Sequence, residues 1–110
     1  MSDATTVRMN RTRTQVTIRV SETVAWAALD ALVDGTCESQ PLYYEAAGLA
    51  MEVGATFDGY EVELDPHGIA MRNRVDLFFT STAKQHRQII DGLVRRGFDV
   101  VTATPKWGRV

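Results

Sequence analysis

The apolar residues of this chain switch period repeatedly, and that succession limits the fold more than any other feature. From Thr12 to Val20 the pattern alternates, with Thr12, Thr14, Val16, Ile18 and Val20 on one side and Arg13, Gln15, Thr17 and Arg19 on the other. Such alternation marks a half-buried strand. Val24, Ala28, Leu29 and Leu32 then recur at helical spacing, between Ser21 as N-cap and Gly35 as terminator. A second helix follows, with Ser39 or Gln40 as cap, Pro41 in its first turn, a stripe of Leu42, Ala46, Leu49 and Val53, and Gly54 as its end.

Asp58-Gly59 carries the dipeptide signal of a tight hairpin, so a short strand is expected before Gly59. Tyr60, Val62 and Leu64 alternate with Glu61, Glu63 and Asp65, and Asp65-Pro66-His67-Gly68 has the composition of a type I turn. A turn there sets Leu64 against Ile69, Val62 against Met71 and Glu61 against Arg72. The strand from Ile69 to Phe79 directs Ile69, Met71, Val75, Leu77 and Phe79 inward. Ser81 or Thr82 caps a last helix with a stripe of Ala83, His86, Ile90, Leu93 and Val94, closed by Gly97. Gly92 inside that helix costs about 1 kcal/mol relative to Ala. Phe98 to Ala103 reads as a final strand that Thr104-Pro105 breaks.

The order strand-helix-helix-strand-strand-helix-strand predicts an α+β fold. With right-handed crossovers it becomes a split β-α-β (ferredoxin-like) arrangement, a four-stranded antiparallel sheet with helices on one face. The expected spatial order is last, first, third, second. A flexible arm over residues 1–10, one domain over 11–104 and a tail over 105–110 complete the expected organisation. A chain of 110 residues, 45% hydrophobic and 24% charged, suits one modest core.

Composition excludes several classes. No apolar run approaches the roughly 18 residues of a membrane span, and the N-terminus has no apolar signal region. Cys37 is the one cysteine, so an internal disulfide is impossible and a reducing, cytoplasmic setting is expected. The net charge of −2 hides strong segregation. Residues 1–20 carry four Arg against one Asp, residues 21–65 ten acids and no Lys or Arg, and residues 66–110 eight basic residues against three Asp.

Catalytic constellations are sparse. The glycines stand singly, which gives no phosphate loop. His67 and His86 stand far apart without a Cys pair, so no metal or cofactor is expected. Acidic neighbours disfavour a Cys37 thiolate, leaving a loop or half-buried thiol. Of Tyr43 and Tyr44, helix geometry buries one ring and exposes the other.

The feature that remains is the sheet face turned away from the helices. Its central strands present Arg13, Gln15, Thr17 and Arg19 beside Arg72, Arg74, Asp76 and Phe78. Arg11 and Arg8 extend this surface, and Trp107 stands between Lys106 and Arg109 in the tail. Arg11, Arg13, Arg19, Arg72, Arg74, Phe78 and Trp107 are therefore the candidate binding surface. The expected function is a non-enzymatic protein-interaction module (an adaptor, regulator or inhibitor) working through charged surfaces as a homodimer. The alternative is nucleic-acid binding by the Arg-rich open face, although the aromatic pair of RNA-recognition sheets is missing.

Overall fold

The computed structural model describes residues 10–64, 67 and 70–105, with Ala70, Met71, Arg72, Thr104 and Pro105 described by backbone alone. Arg8 with most of the expected arm, and Trp107 with the tail beyond Pro105, lie outside the described residues. The chain runs β1 (Thr12–Arg19), α1 (Glu22–Asp34), a 3-10 turn (Cys37–Ser39), α2 (Pro41–Val53), β2 (Thr56–Leu64), β3 (Ala70–Ser81), α3 (Ala83–Arg95) and β4 (Asp99–Pro105). Among the described residues the fold is α+β, with three α-helices and an open four-stranded antiparallel sheet in the order β2-β3-β1-β4. No helix among the described residues is long and apolar enough to cross a membrane.

Local chemistry sets the helix ends. Ser21 Oγ accepts the Val24 N–H at 3.1 Å, and Gly35 closes α1 at φ 74°. Pro41 opens α2 after Gln40, whose side chain makes no capping bond, and Gly54 ends it at φ 83°. At α3 the cap is Thr82, not Ser81. Thr82 Oγ1 accepts the Gln85 N–H at 3.2 Å, while Gln85 Oε1 accepts the Thr82 N–H at 2.9 Å. This reciprocal pair satisfies two helix-end donors that would otherwise lack partners.

The core lies between the helices and the sheet face carrying Val16, Ile18, Val75, Leu77 and Phe79, all at 0% exposure. Burial of each such side chain contributes about 1.5–3 kcal/mol. On α1 the buried residues are Ala25, Ala28 and Ala31, whereas Val24 of the expected stripe is 40% exposed. Small side chains there let the helix lie close to the sheet. On α3 the buried set is His86, Ile89, Gly92 and Leu93, and Val94 of the expected stripe faces solvent. Gly92 is where α2 crosses: a Cβ there would stand 2.5 Å from Leu49 Cδ1.

Three expectations about the strands are corrected. Asp58-Gly59 makes no hairpin; β2 runs through it, and the pairing steps from Phe57↔Phe79 to Gly59↔Phe78. Asp58 is thus the extra residue of a bulge, with Gly59 at φ 110° and Thr80 Oγ1 donating to Asp58 Oδ2 at 2.6 Å. The β2–β3 register also differs. Val62 pairs with Val75, Glu61 with Asp76 and Leu64 with Ala70, in place of Met71, Arg72 and Ile69. Between Val62↔Val75 and Leu64↔Ala70, β3 uses more residues than β2. There Asn73 takes φ 54°, a conformation Asn tolerates, and its carbonyl accepts the Val20 N–H at 2.7 Å. Finally, Thr104-Pro105 do not break β4 but are its last two residues. β4 is an edge strand, where the missing Pro N–H is tolerated.

Candidate binding face

The alternation that buries Val16, Ile18, Val75 and Leu77 places Arg13, Gln15, Thr17 and Arg19 of β1, and Arg74, Asp76 and Phe78 of β3, on the open face. Antiparallel pairing sets Arg13 beside Thr80, Gln15 beside Phe78, Thr17 beside Asp76 and Arg19 beside Arg74. The Arg13 guanidinium lies over the Phe78 ring, 5.2 Å from its centroid. At an exposed site such stacking contributes about 0.5–1 kcal/mol. A hollow of about 360 Å³ opens here, lined by Arg13, Thr14, Gln15, Glu61 and Phe78.

The other expected residues are dispersed. Arg19 reaches sideways to the edge strand, with Nη1 at 3.1 Å from Asp99 Oδ2, and both side chains are about half exposed. A pair so exposed contributes about 0.2–1 kcal/mol. Arg11 Nη2 donates to the Gly54 carbonyl at 2.7 Å, at the C-terminus of α2. A cation there meets the negative end of the helix. Arg74 remains on the face, half-buried, with its Nε buried and without a hydrogen-bond partner. The Arg72 side chain and Trp107 lie outside the described residues.

The face is also more acidic than its arginines suggest. Glu61 stands directly opposite Asp76 across β2–β3, two carboxylates in adjacent positions. Asp76 Oδ1 accepts the Thr17 hydroxyl at 2.6 Å, which anchors one of them. Arg19 and Arg74 form the corresponding like-charged pair across β1–β3. Like charges directly opposite are unfavourable, so both signs are displayed in separate blocks. Thr14, Gln15 and Glu61 line the hollow and are missing from the sequence-derived set. Gln15 was legible from the alternation of β1, whereas the position of Glu61 depends on the β2–β3 register.

Elsewhere among the described residues, Tyr60 and His86 have shifted titration. Tyr60 is buried, and its hydroxyl donates to the Ala28 carbonyl at 2.9 Å. Burial, with the nearby Cys37 thiol, pushes its pKa up to about 12. Cys37 itself is half-buried, its Sγ 3.8 Å from the Ala31 carbonyl. His86 is buried, and desolvation followed by the charge of Arg87 lowers its pKa. Tyr43 packs edge-on to Phe57 at 4.9 Å, while Tyr44 is 70% exposed. A second cleft of about 300 Å³ lies among Val20, Ser21, Val24, Pro41, Leu42, Glu45 and Phe98. Among the described residues, no three His, Cys, Asp or Glu gather as a metal-binding group.

No family model matches the chain, and no curated protein is significantly similar to it.

Proposed function

We propose that this chain is a non-enzymatic protein-interaction module, an adaptor, regulator or inhibitor in kind, that pairs with a second copy of itself through the open sheet face. The observation carrying this reading is the Arg13–Phe78 stack lining a hollow, on a face bearing both charge signs. A surface with Arg13 and Arg74 beside Glu61 and Asp76 is complementary to its own copy. A guanidinium held on a ring keeps its N–H edges free for a carboxylate, and aromatic and Arg side chains are the usual anchors of interfaces.

The same composition weighs against a nucleic-acid strand. Glu61 and Asp76 repel phosphate, the guanidinium covers one side of the Phe78 ring, and Arg11 and Arg19 have partners within the chain. We read the architecture as split β-α-β, or ferredoxin-like. α1 and α2 connect β1 to β2 across β3, and α3 connects β3 to β4 across β1. The single thiol fits a cytoplasmic protein.

Sedimentation equilibrium over a range of concentrations tests the proposal. The wild type is a dimer, and Phe78→Asp, with an unchanged circular dichroism spectrum, is a monomer. A wild type that stays monomeric overturns the reading. Salt-sensitive micromolar binding to labelled RNA or DNA, lost in Arg13→Ala, installs the nucleic-acid reading in its place.

A further inference from the structure

The positions of Arg13 and Glu61 about Phe78 carry the reading one step further. β3 lies between β1 and β2. Arg13 pairs with Thr80, two residues beyond Phe78 on one side, and Glu61 pairs with Asp76, two residues beyond it on the other. The two charges therefore stand diagonally across the ring, one on each flanking strand. Two strand spacings sideways and four residues along the strand separate their Cα atoms by about 16 Å. Of the described residues, none forms an ion pair with Arg13 or Glu61. Glu61 also bears the repulsion of Asp76 directly opposite. Both line the hollow, together with Phe78.

This arrangement has a two-fold consequence. An axis in the plane of the interface, through Phe78 and perpendicular to the Arg13–Glu61 line, superposes each charge on its opposite in a second copy. We propose that the homodimer is isologous about Phe78, with Arg13 paired to the partner's Glu61, Glu61 paired to the partner's Arg13, and the two Phe78 rings meeting at the axis. The inference rests on the open face being the dimer interface, and it adds the register. Because a two-fold interface repeats every contact, one substitution acts twice.

Charge reversal tests it by sedimentation of separate and mixed variants. Arg13→Glu and Glu61→Arg each weaken dimerisation by about 100-fold or more, since each places like charges together twice. An equimolar mixture of the two variants forms heterodimers, because both cross-pairs are then of opposite sign. The double variant R13E/E61R regains self-association to within about tenfold of the wild type. Heterodimers cannot come from misfolded variants, so the mixture separates lost pairing from lost structure. The milder Arg13→Gln and Glu61→Gln each weaken the dimer without reversing charge. A wild-type dimer indifferent to all four single substitutions, or single variants that do not combine, overturns this register while leaving the dimer reading standing. A monomeric wild type removes both.

Discussion

Leu49 of α2 occupies the space that a side chain at Gly92 of α3 would need, with Cδ1 2.5 Å and Cδ2 3.0 Å from the position of an added Cβ. Leu49 is fully buried, so it cannot swing away without disturbing the core. The glycine that weakens α3 as a helix is what lets the two helices approach. Gly92→Ala therefore adds about 1 kcal/mol of helix propensity but loses about 1–3 kcal/mol to overpacking. The net expectation is destabilisation, read as a lower midpoint in urea. Gly48 in α2 has open space at its Cβ position, so Gly48→Ala raises stability by up to about 1 kcal/mol, read as a higher midpoint.

His86 predicts a loss of stability toward acid. Its folded pKa is lowered by burial and then by Arg87, so the folded protein resists a proton that the unfolded chain accepts. The contribution is present above the unfolded pKa, about 6.5, and is lost as pH falls from there toward the folded value. The slope approaches at most about 1.4 kcal/mol per pH unit. Urea denaturation between about pH 7 and 5 measures it, and His86→Gln flattens the curve over that range. An unchanged slope in the variant assigns the acid sensitivity elsewhere.

Tyr60 predicts the opposite limb. Its pKa is raised from 10.0 to about 12 by burial and by Cys37, so the folded state retains the phenolic proton. The stabilisation is fully present below pH 10 and is lost between pH 10 and about 12. The shift corresponds to about 2–3 kcal/mol. Tyr60→Phe removes this alkaline step. At pH 7 the same variant loses the hydrogen bond to Ala28 O, costing about 1 kcal/mol.

Arg11 is tied to the end of α2. With its guanidinium on the Gly54 carbonyl, Arg11→Ala lowers stability by about 0.5–1 kcal/mol. Dimerisation stays unchanged in sedimentation. A variant of normal stability with weakened association would return Arg11 to the interface.

Elements with a local signature were legible in the sequence. Ser21, Pro41, Gly35, Gly54 and Gly97 mark helix ends through capping and left-handed geometry, which depend on few neighbours. The alternation in β1 likewise placed Arg13 and Gln15 on the open face. Features set by distant contacts were not. Ala25, Ala28 and Ala31 are buried because the sheet approaches α1 closely, while the larger Val24 is turned outward. Asp58-Gly59 has hairpin chemistry, yet pairing with β3 on both sides of it makes a bulge. The irregular pairing around Asn73 moved Glu61 from Arg72 to Asp76, and with it the electrostatics of the face. Nothing in the sequence neighbourhood of Arg11 reveals its bond to Gly54, 43 residues away.

The most direct test of the open face as the interface is an isotope-filtered NOE experiment on a mixture of labelled and unlabelled protein. In the proposed dimer, intermolecular cross-peaks run from the Phe78 ring to open-face residues of the partner. Cross-peaks confined to the outer surfaces of the helices, or none from Phe78 in a sample shown to be dimeric, contradict it.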